Sequence, residues 1–209
     1  MEVVKEKIER SNRTSALRAK KGLKILLTGP YHGGKSTCVH SLGDNAISLD
    51  QFASDGTTTT VAFDLITTYW VKGTDRNYLV PKKDLAKTEL DQEEVYLVQV
   101  YGTPGQLHFA SVRATLAVGC DGVIFVIDSV DAGQLGEFYT FYYEMKSLLE
   151  ENVPMIILAN KQDLENALSK DEIDELLQLD LEIFESSALL GQGVKEALIY
   201  LLEKVLDGC

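Results

Sequence analysis

Residues 23–36 read LKILLTGPYHGGKS, a short apolar run followed by a glycine-rich turn, a lysine and a serine. The apolar run at 23–28 predicts a buried β-strand, and the segment that begins at Lys35 predicts a helix. Residues 29–36 satisfy GxxxxGK[ST] in the strand-to-helix context that this motif requires, which disfavours a chance glycine turn. The stretch therefore predicts a loop that wraps phosphate groups.

Each residue type in this loop suits phosphate binding. The glycines let backbone N–H groups surround phosphate oxygens, and the following helix adds its positive end. Lys35 would reach the outer phosphates, and the Ser36 hydroxyl would ligate magnesium. For His32, an exposed loop residue is the alternative. The nucleotide contacts predicted in this segment are Gly29, His32, Gly33, Gly34, Lys35, Ser36 and Thr37.

Apolar strand-like runs alternate with helical patterns along the rest of the chain, which predicts an α/β fold with a mostly parallel central sheet flanked by helices. Such open sheets bind ligands at the carboxyl ends of their strands. Between 72 and 94 the chain is polar, so we expect an extended hairpin or a long loop there. Further strands are predicted at 96–101, 122–128, 155–160 and, more weakly, 181–185.

Two helices have clear signals. Ser169 and Glu172 form a capping-box pattern ahead of a helix at 170–179. Apolar residues recur at three- and four-residue spacing from Val194 to Val205, which predicts a last helix that packs on the sheet.

Composition narrows the function. The 209 residues carry a formal net charge of −12, which disfavours nucleic acid as a partner because phosphate binding needs a basic surface. Three distant cysteines fit a reducing, cytoplasmic compartment, without disulfides or structural zinc. No signal peptide, membrane span or CaaX box is evident, and the terminal Cys209 is best explained as incidental.

The chain divides into a basic N-terminal extension, residues 1–22, and a domain at 23–209. The extension carries seven Lys and Arg residues against three Glu residues. A solvated helix or tail is one interpretation. The other is contact with a partner or with the inner membrane face, where basic residues meet anionic lipids.

Asn160-Lys161-Gln162-Asp163 follows the predicted strand at 155–160. An aspartate there can accept hydrogen bonds from the guanine N1–H and the exocyclic amine together. Adenine offers an acceptor at the first place and no amine at the second, which would leave the carboxylate unpaired. The Lys161 stem can lie along the face of the base. The motif therefore selects guanine.

With these two motifs, residues 23–206 resemble the Ras-like small GTPase superfamily and its P-loop NTPase fold of three layers. The resemblance implies that Ser187 and Ala188 belong to the last guanine-contacting loop. It also implies that residues 57–64, TTTTVAFD, are the first switch, with Thr60 on magnesium and Thr59 as an alternative. A threonine-rich loop leading into an edge strand is the other interpretation of this run.

Residues 102–106, GTPGQ, resemble the second switch. There the Gly105 amide would meet the third phosphate and Gln106 would orient the attacking water. The superfamily usually has an aspartate where this chain has Gly102. The TxxxD and GTPGQ motifs together resemble the prokaryotic, MglA-type GTPases rather than the Ras, Rab or Arf groups. The residues expected to act in hydrolysis are Gln106, Lys35, Thr60 and Gly105.

The departures from the superfamily raise further hypotheses. Asp64 is expected to supply the acidic group that Gly102 lacks, with a solvent-facing strand residue as the equal alternative; the predicted metal residues are thus Ser36, Thr60 and Asp64. Tyr31 would crowd the third phosphate or an incoming arginine. Arg76 and Arg113 are candidate charge donors in cis, although each also fits an ordinary surface arginine.

The resemblance implies a molecular switch that hydrolyses GTP to GDP and phosphate with Mg²⁺, slowly without an activating protein. Its expected partners are effectors and GTPase-activating proteins at the switches, with a roadblock-fold regulator suggested by the MglA-type resemblance. One alternative is a GTP-binding scaffold that has lost hydrolysis, favoured by Gly102 and Tyr31. Another is an ATP-using P-loop enzyme, which Asn160 and Asp163 oppose.

Overall fold

The strands of the central sheet are apolar on both faces, as expected for parallel strands covered by helices on each side. The computed structural model describes residues 22–51, 61–73, 75–85, 87–88 and 93–208. Within these ranges the elements are β1 (Gly22–Thr28), α1 (Lys35–Ser41), β2 (Ile47–Gln51), β3 (Val61–Lys72), β4 (Asn77–Pro81), α2 (Lys82–Leu85), β5 (Glu94–Gly102), a 3₁₀ turn (Leu107–Phe109), α3 (Ala110–Ala117), β6 (Gly122–Asp128), α4 (Ala132–Leu148), β7 (Met155–Asn160), α5 (Lys170–Leu177), β8 (Glu182–Glu185) and α6 (Val194–Asp207).

The sheet runs in the order β2-β3-β5-β1-β6-β7-β8, and β4 pairs with β3. From β5 to β8 every pairing is parallel, whereas β3 runs antiparallel to β2, β4 and β5. The sheet is therefore mostly parallel, and the carboxyl ends of its central strands lie together at one edge.

Helices cover both faces of this sheet. Side chains of α1 and α6 pack with Ile25, Val126 and Leu158 on one face. Those of α3, α4 and α5 pack with Leu26, Phe125 and Ile157 on the other. Neighbouring residues of one strand thus enter opposite cores, which is the two-residue period of β-structure. The three-layer α/β prediction is confirmed.

The predicted strands at 122–128 and 155–160 match β6 and β7, and the other predicted strands differ from β1, β5 and β8 by at most two residues at an end. The capping box at Ser169 and Glu172 is present. Helix α5 ends at Leu177, two residues before its predicted end, because Gln178 adopts a left-handed conformation with φ 49°.

The polar segment at 72–94 forms part of a hairpin. β3 continues to Lys72, turns, and pairs with β4, after which α2 supplies one helical turn. A small apolar cluster of Val71, Val80 and Val95 holds the hairpin. The prediction of an extended hairpin is confirmed, although the helical turn was not expected.

Some sequence-based expectations lie outside the described residues. They concern residues 1–21 of the basic extension, Thr59, Thr60 and Cys209. Cys38 and Cys120 are buried free thiols. Among the helices that the structure describes, none has the length and apolar character needed to cross a membrane.

Candidate nucleotide-binding site

The predicted phosphate loop follows β1 and lies against the neighbouring strand β6. Gly29 has φ 134°, and a Cβ added there would lie 2.5 Å from the carbonyl oxygen of Val126. A Cβ at Gly33 would lie 2.6 Å from the same oxygen. Because no side chain fits these gaps, the loop can rest directly on the strand and turn its backbone toward the site.

Lys35 opens α1 and is 7% exposed. Its Nζ donates hydrogen bonds to the carbonyl oxygens of Gly29, at 3.0 Å, and Pro30, at 2.6 Å. Burial lowers the pKa of Lys35 to about 8; smaller effects come from Cys38, which raises it, Arg113, which lowers it, and Asp64, which raises it. Among the described residues, no carboxylate forms an ion pair with Lys35. A buried cation whose described partners are carbonyl oxygens fits an anionic ligand.

Asn160 connects the phosphate loop to the loop after β8. Its Nδ2 donates to the carbonyl oxygen of Gly33 at 3.0 Å. Its Oδ1 accepts from the backbone N–H of Ala188, at 3.0 Å, and from the Ser186 hydroxyl, at 3.2 Å. Asn160 is 3% exposed, so these bonds are protected from water. The end that would hold phosphates and the end that would read the base are thereby joined through one side chain.

The predicted base-reading side chains are held by partners. Ser187 Oγ donates to one carboxylate oxygen of Asp163 at 2.5 Å, and Asp163 is exposed. Lys161 Nζ donates to Asp128 Oδ2, also at 2.5 Å. These partners orient the carboxylate and the lysine before any base arrives.

The second-switch segment lies against the phosphate loop. A Cβ on Gly105 would lie 2.7 Å from Lys35 Nζ and 2.8 Å from the Tyr31 backbone nitrogen. Thr103 is tied to β1, since its N–H donates to the Leu27 carbonyl at 2.8 Å. Only glycine fits at position 105, because its close neighbours include the Tyr31 backbone. That the Tyr31 side chain crowds the third phosphate stays a prediction.

Asp64 lies directly opposite Gly102 in the β3–β5 pairing. A Cβ on Gly102 would come within 3.4 Å of the Asp64 Cβ and 3.5 Å of Oδ2. The other oxygen, Oδ1, accepts a hydrogen bond from Ser48 Oγ at 2.5 Å and lies 3.5 Å from His40 Nε2. Asp64 is buried, so the alternative of a solvent-facing strand residue is wrong.

The residues present are compatible with Mg²⁺. No group of three or more His, Cys, Asp and Glu side chains able to hold a metal occurs within the described part of the chain. Mg²⁺, however, usually takes one or two protein oxygens and completes its shell with phosphate oxygens and water. The exposed hydroxyl of Ser36 at the start of α1 suits that sparse donor set.

The two arginines considered as charge donors differ in placement. Arg76 lies in the β3–β4 turn, beyond Lys72, which pairs with Glu94 at the opposite end of β5 from Gly102. Eight residues of strand, about 26 Å, separate the two ends. Arg113 is buried and bonded to the second-switch backbone. The expectation of a surface arginine is therefore wrong for Arg113.

Three supporting residues were missed from the sequence. Asp128 holds Lys161, and its place at the carboxyl end of a predicted strand could have indicated it. Gln134 Nε2 donates to the Tyr31 carbonyl at 3.0 Å, and its Oε1 accepts from the Asp128 N–H at 3.1 Å. Gln162 Nε2 bonds Ser129 and Leu168. No sequence pattern predicts the roles of Gln134 and Gln162.

Comparison with known proteins identifies a matching family and several similar sequences. The sequence model of the ADP-ribosylation factor family matches residues 66–205. The chain is 40% identical over 96 residues to ADP-ribosylation factor-like protein 4A of Homo sapiens, covering 42% of this chain and 46% of that protein. It is 30% identical over 124 residues to ADP-ribosylation factor-like protein 2 of Dictyostelium discoideum, covering 54% and 66%.

A third relative, ADP-ribosylation factor-like protein 3 of Chlamydomonas reinhardtii, is 38% identical over 95 residues, covering 41% of this chain and 52% of that protein. The chain therefore spans about half to two thirds of the length of these curated relatives. The family match includes the second-switch and guanine motifs and begins after the phosphate loop. It does not support setting the chain apart from the Arf group.

Proposed function

Because the chain belongs to the ADP-ribosylation factor family of Ras-like small GTPases, we propose that it binds GTP and GDP and acts as a nucleotide-dependent switch. The observation that supports this most directly is the Asn160 bridge. It holds Gly33 of the phosphate loop and Ala188 of the base loop to one buried amide. A nucleotide has the same two ends, phosphates and base, in one molecule.

Each end of the site would recognise its own part of the nucleotide. Asp163 has one oxygen on Ser187 and would accept the two guanine donors with its carboxylate. The Lys161 stem, anchored by Asp128, would support the face of the base. At the other end, Lys35 would exchange its loop carbonyls for the outer phosphates, since a charged acceptor is the stronger partner for an ammonium.

The proposed reaction is the hydrolysis of GTP to GDP and phosphate. Gln106 would orient the attacking water, while the Gly105 amide and Lys35 would stabilise charge on the third phosphate. Ser36, Thr60 and Asp64 are the residues proposed to hold Mg²⁺ or its water ligands. When bound, the ion would neutralise phosphate charge. Intrinsic turnover should be slow, because neither Arg76 nor Arg113 offers a free guanidinium to this site.

Switching would come from the two segments that sense the third phosphate. Effectors and GTPase-activating proteins are proposed to bind these segments, and their preference would change after hydrolysis. On the basis of the GTPGQ and TxxxD motifs we also propose a relationship to the MglA-type GTPases and a roadblock-fold regulator as a partner. We also propose a cytoplasmic location and a contact between the basic extension and the inner membrane face.

Nucleotide competition tests the binding proposal. A fluorescent GDP analogue is bound to the purified protein and displaced with GTP, GDP or ATP. We expect GTP and GDP to compete and ATP not to; displacement by ATP at similar concentrations would support the ATP-using alternative instead. Lys35→Met should abolish binding, whereas Lys170→Met, at an exposed lysine that opens α5, should leave it unchanged.

A GTP-binding scaffold without hydrolysis is the second candidate. It is favoured by Gly102 and by Tyr31, whose backbone lies close to Gly105. Single-turnover hydrolysis of bound GTP with saturating Mg²⁺ separates the two functions. Product formation supports the switch that hydrolyses GTP, and bound GTP that persists supports the scaffold.

The membrane proposal has its own test. Deleting residues 1–21, which stops short of β1, should leave nucleotide affinity unchanged because the described nucleotide-site residues lie after Gly22. Sedimentation with anionic liposomes should fall in the truncated protein. If the full chain does not sediment with them, the extension does not bind membranes.

A further inference from the structure

Arg113 contacts the backbone of the second switch from inside the protein. It lies on α3, is 1% exposed, and its Nη1 donates to the carbonyl oxygens of Pro104, at 3.2 Å, and Gln106, at 2.8 Å. Nη2 donates to the Leu107 carbonyl at 3.4 Å. One guanidinium thus contacts three carbonyl groups around Gly105, those of Pro104, Gln106 and Leu107.

The opposite side of the guanidinium is held by α4. Nε donates to both oxygens of Glu144, at 3.0 and 3.1 Å, and Nη2 donates to Oε2 at 2.8 Å. The group also lies over the Phe141 ring, 4.8 Å from its centroid. Planar bidentate pairing with a carboxylate needs the arginine fork, which lysine lacks.

These contacts occupy every donor of the side chain. A guanidinium has five N–H groups. The one on Nε meets Glu144, the two on Nη1 meet Pro104 and Gln106, and the two on Nη2 meet Leu107 and Glu144. No N–H remains for a phosphate, so a role as a charge donor in cis does not fit this arrangement.

We propose that Arg113 and Glu144 form a clamp that positions Gly105 and Gln106 for GTP hydrolysis. This inference rests on the proposed function and assigns Arg113 as a positioning residue that acts through Gln106. Holding the Gln106 carbonyl fixes the peptide group that follows the Gln106 Cα, and this limits the directions in which the side chain can project. Fixing Pro104 and Leu107 holds the chain on both sides, where Gly105 already packs against Tyr31 and Lys35.

The positive charge of Arg113 also reaches the phosphate loop. Burial is the main cause of the lowered pKa of Lys35, and the Arg113 charge lowers this pKa further, while Glu144 balances the charge of Arg113. The clamp therefore connects α4, the second switch and the phosphate-loop lysine. A small displacement of the clamp would move the water-orienting residue without touching the base-reading end of the site.

Two clamp variants and one control test the proposal. Arg113→Lys keeps a positive charge and removes the fork, and Glu144→Gln keeps the size and removes the charge. Arg76→Lys makes the same chemical change in the β3–β4 turn. Affinity for a fluorescent GDP analogue, single-turnover GTP hydrolysis and hydrogen exchange of residues 103–109 are measured on the full chain.

Both clamp variants should hydrolyse GTP about tenfold to a hundredfold more slowly, the range expected when a catalytic group is misplaced. Their GDP affinity should stay close to that of the wild type and of Arg76→Lys. Exchange should rise in residues 103–109 and remain unchanged in β6. In a Gln106→Leu background, Arg113→Lys should cause little further loss, because both changes remove the same function.

Several results would overturn the clamp: wild-type hydrolysis in both variants, an equal loss of GDP affinity and rate, or additive losses with Gln106→Leu. A wild-type chain that binds GTP without hydrolysing it would also remove the hydrolytic role. Failure of the proposed function is distinguishable, because it appears as absent guanine nucleotide binding in the wild type. Exchange at 103–109 then reports on the clamp alone, and unchanged exchange in Arg113→Lys would refute it.

Discussion

Replacing Asp163 with asparagine is the sharpest test of base recognition. Ser187 Oγ donates to one Asp163 oxygen, and an asparagine carbonyl oxygen can accept the same bond, so the loop should keep its conformation. What changes is the other atom, which becomes an N–H₂ donor. Guanine presents donors at this place, so two hydrogen bonds to a carboxylate become a contact between donors.

The magnitude follows from those two bonds. Stranding the polar partners of a charged group costs about 2 to 4 kcal/mol. That corresponds to about 30-fold to about 900-fold weaker GDP and GTP binding, since each 1.36 kcal/mol is a factor of ten. Xanthine carries a carbonyl where guanine carries the amine. Xanthosine diphosphate should therefore bind the variant better than it binds the wild type.

The assay is competition against a fluorescent GDP analogue with GDP and xanthosine diphosphate. Glu165→Gln is a matched control, because it removes one negative charge from an exposed residue of the same loop and should leave both affinities unchanged. Thermal unfolding of each variant checks that the fold is retained. Unchanged GDP affinity in Asp163→Asn would refute the assignment of Asp163 to the base.

Three further predictions concern the phosphate end. Gln106→Leu should keep GTP affinity and slow single-turnover hydrolysis, since it removes organisation of the transition state only; equal rates would exclude the role. Asp64→Ala should lower Mg²⁺ affinity and hydrolysis beyond any loss of stability, and Gly102→Asp in that variant should partly restore both. Normal hydrolysis by Asp64→Ala at limiting Mg²⁺ would contradict this. Burial lowers the pKa of Lys35 from 10.5 to about 8, so between these pH values the unfolded chain binds more protons than the folded chain. The free energy of unfolding of the nucleotide-free wild type should therefore rise with pH through this window, relative to that of Lys35→Met. A flat difference in denaturant unfolding would count against the buried lysine.

Local patterns allowed much of the fold and site to be predicted. Buried parallel strands are short apolar runs, and the residues after them face the ligand edge, so the motifs at 29–36 and 160–163 could be placed from their neighbours alone. The structure places Asp64 directly opposite Gly102 in the β3–β5 pairing. Its proposed metal role stays a prediction.

The sequence by itself thus determined the α/β layering, the phosphate loop and the base motif, because hydrophobic period and turn chemistry act over a few residues. Only the tertiary structure decided which side chains hold these motifs in place. Asp128 and Lys161 are 33 residues apart, and Arg113 and Glu144 are 31 apart. Which side chains meet at such separations depends on how each helix is rotated and packed on the sheet. No local pattern carries that information, so Arg113 resembled a surface residue in the sequence and is buried against the second switch in the fold.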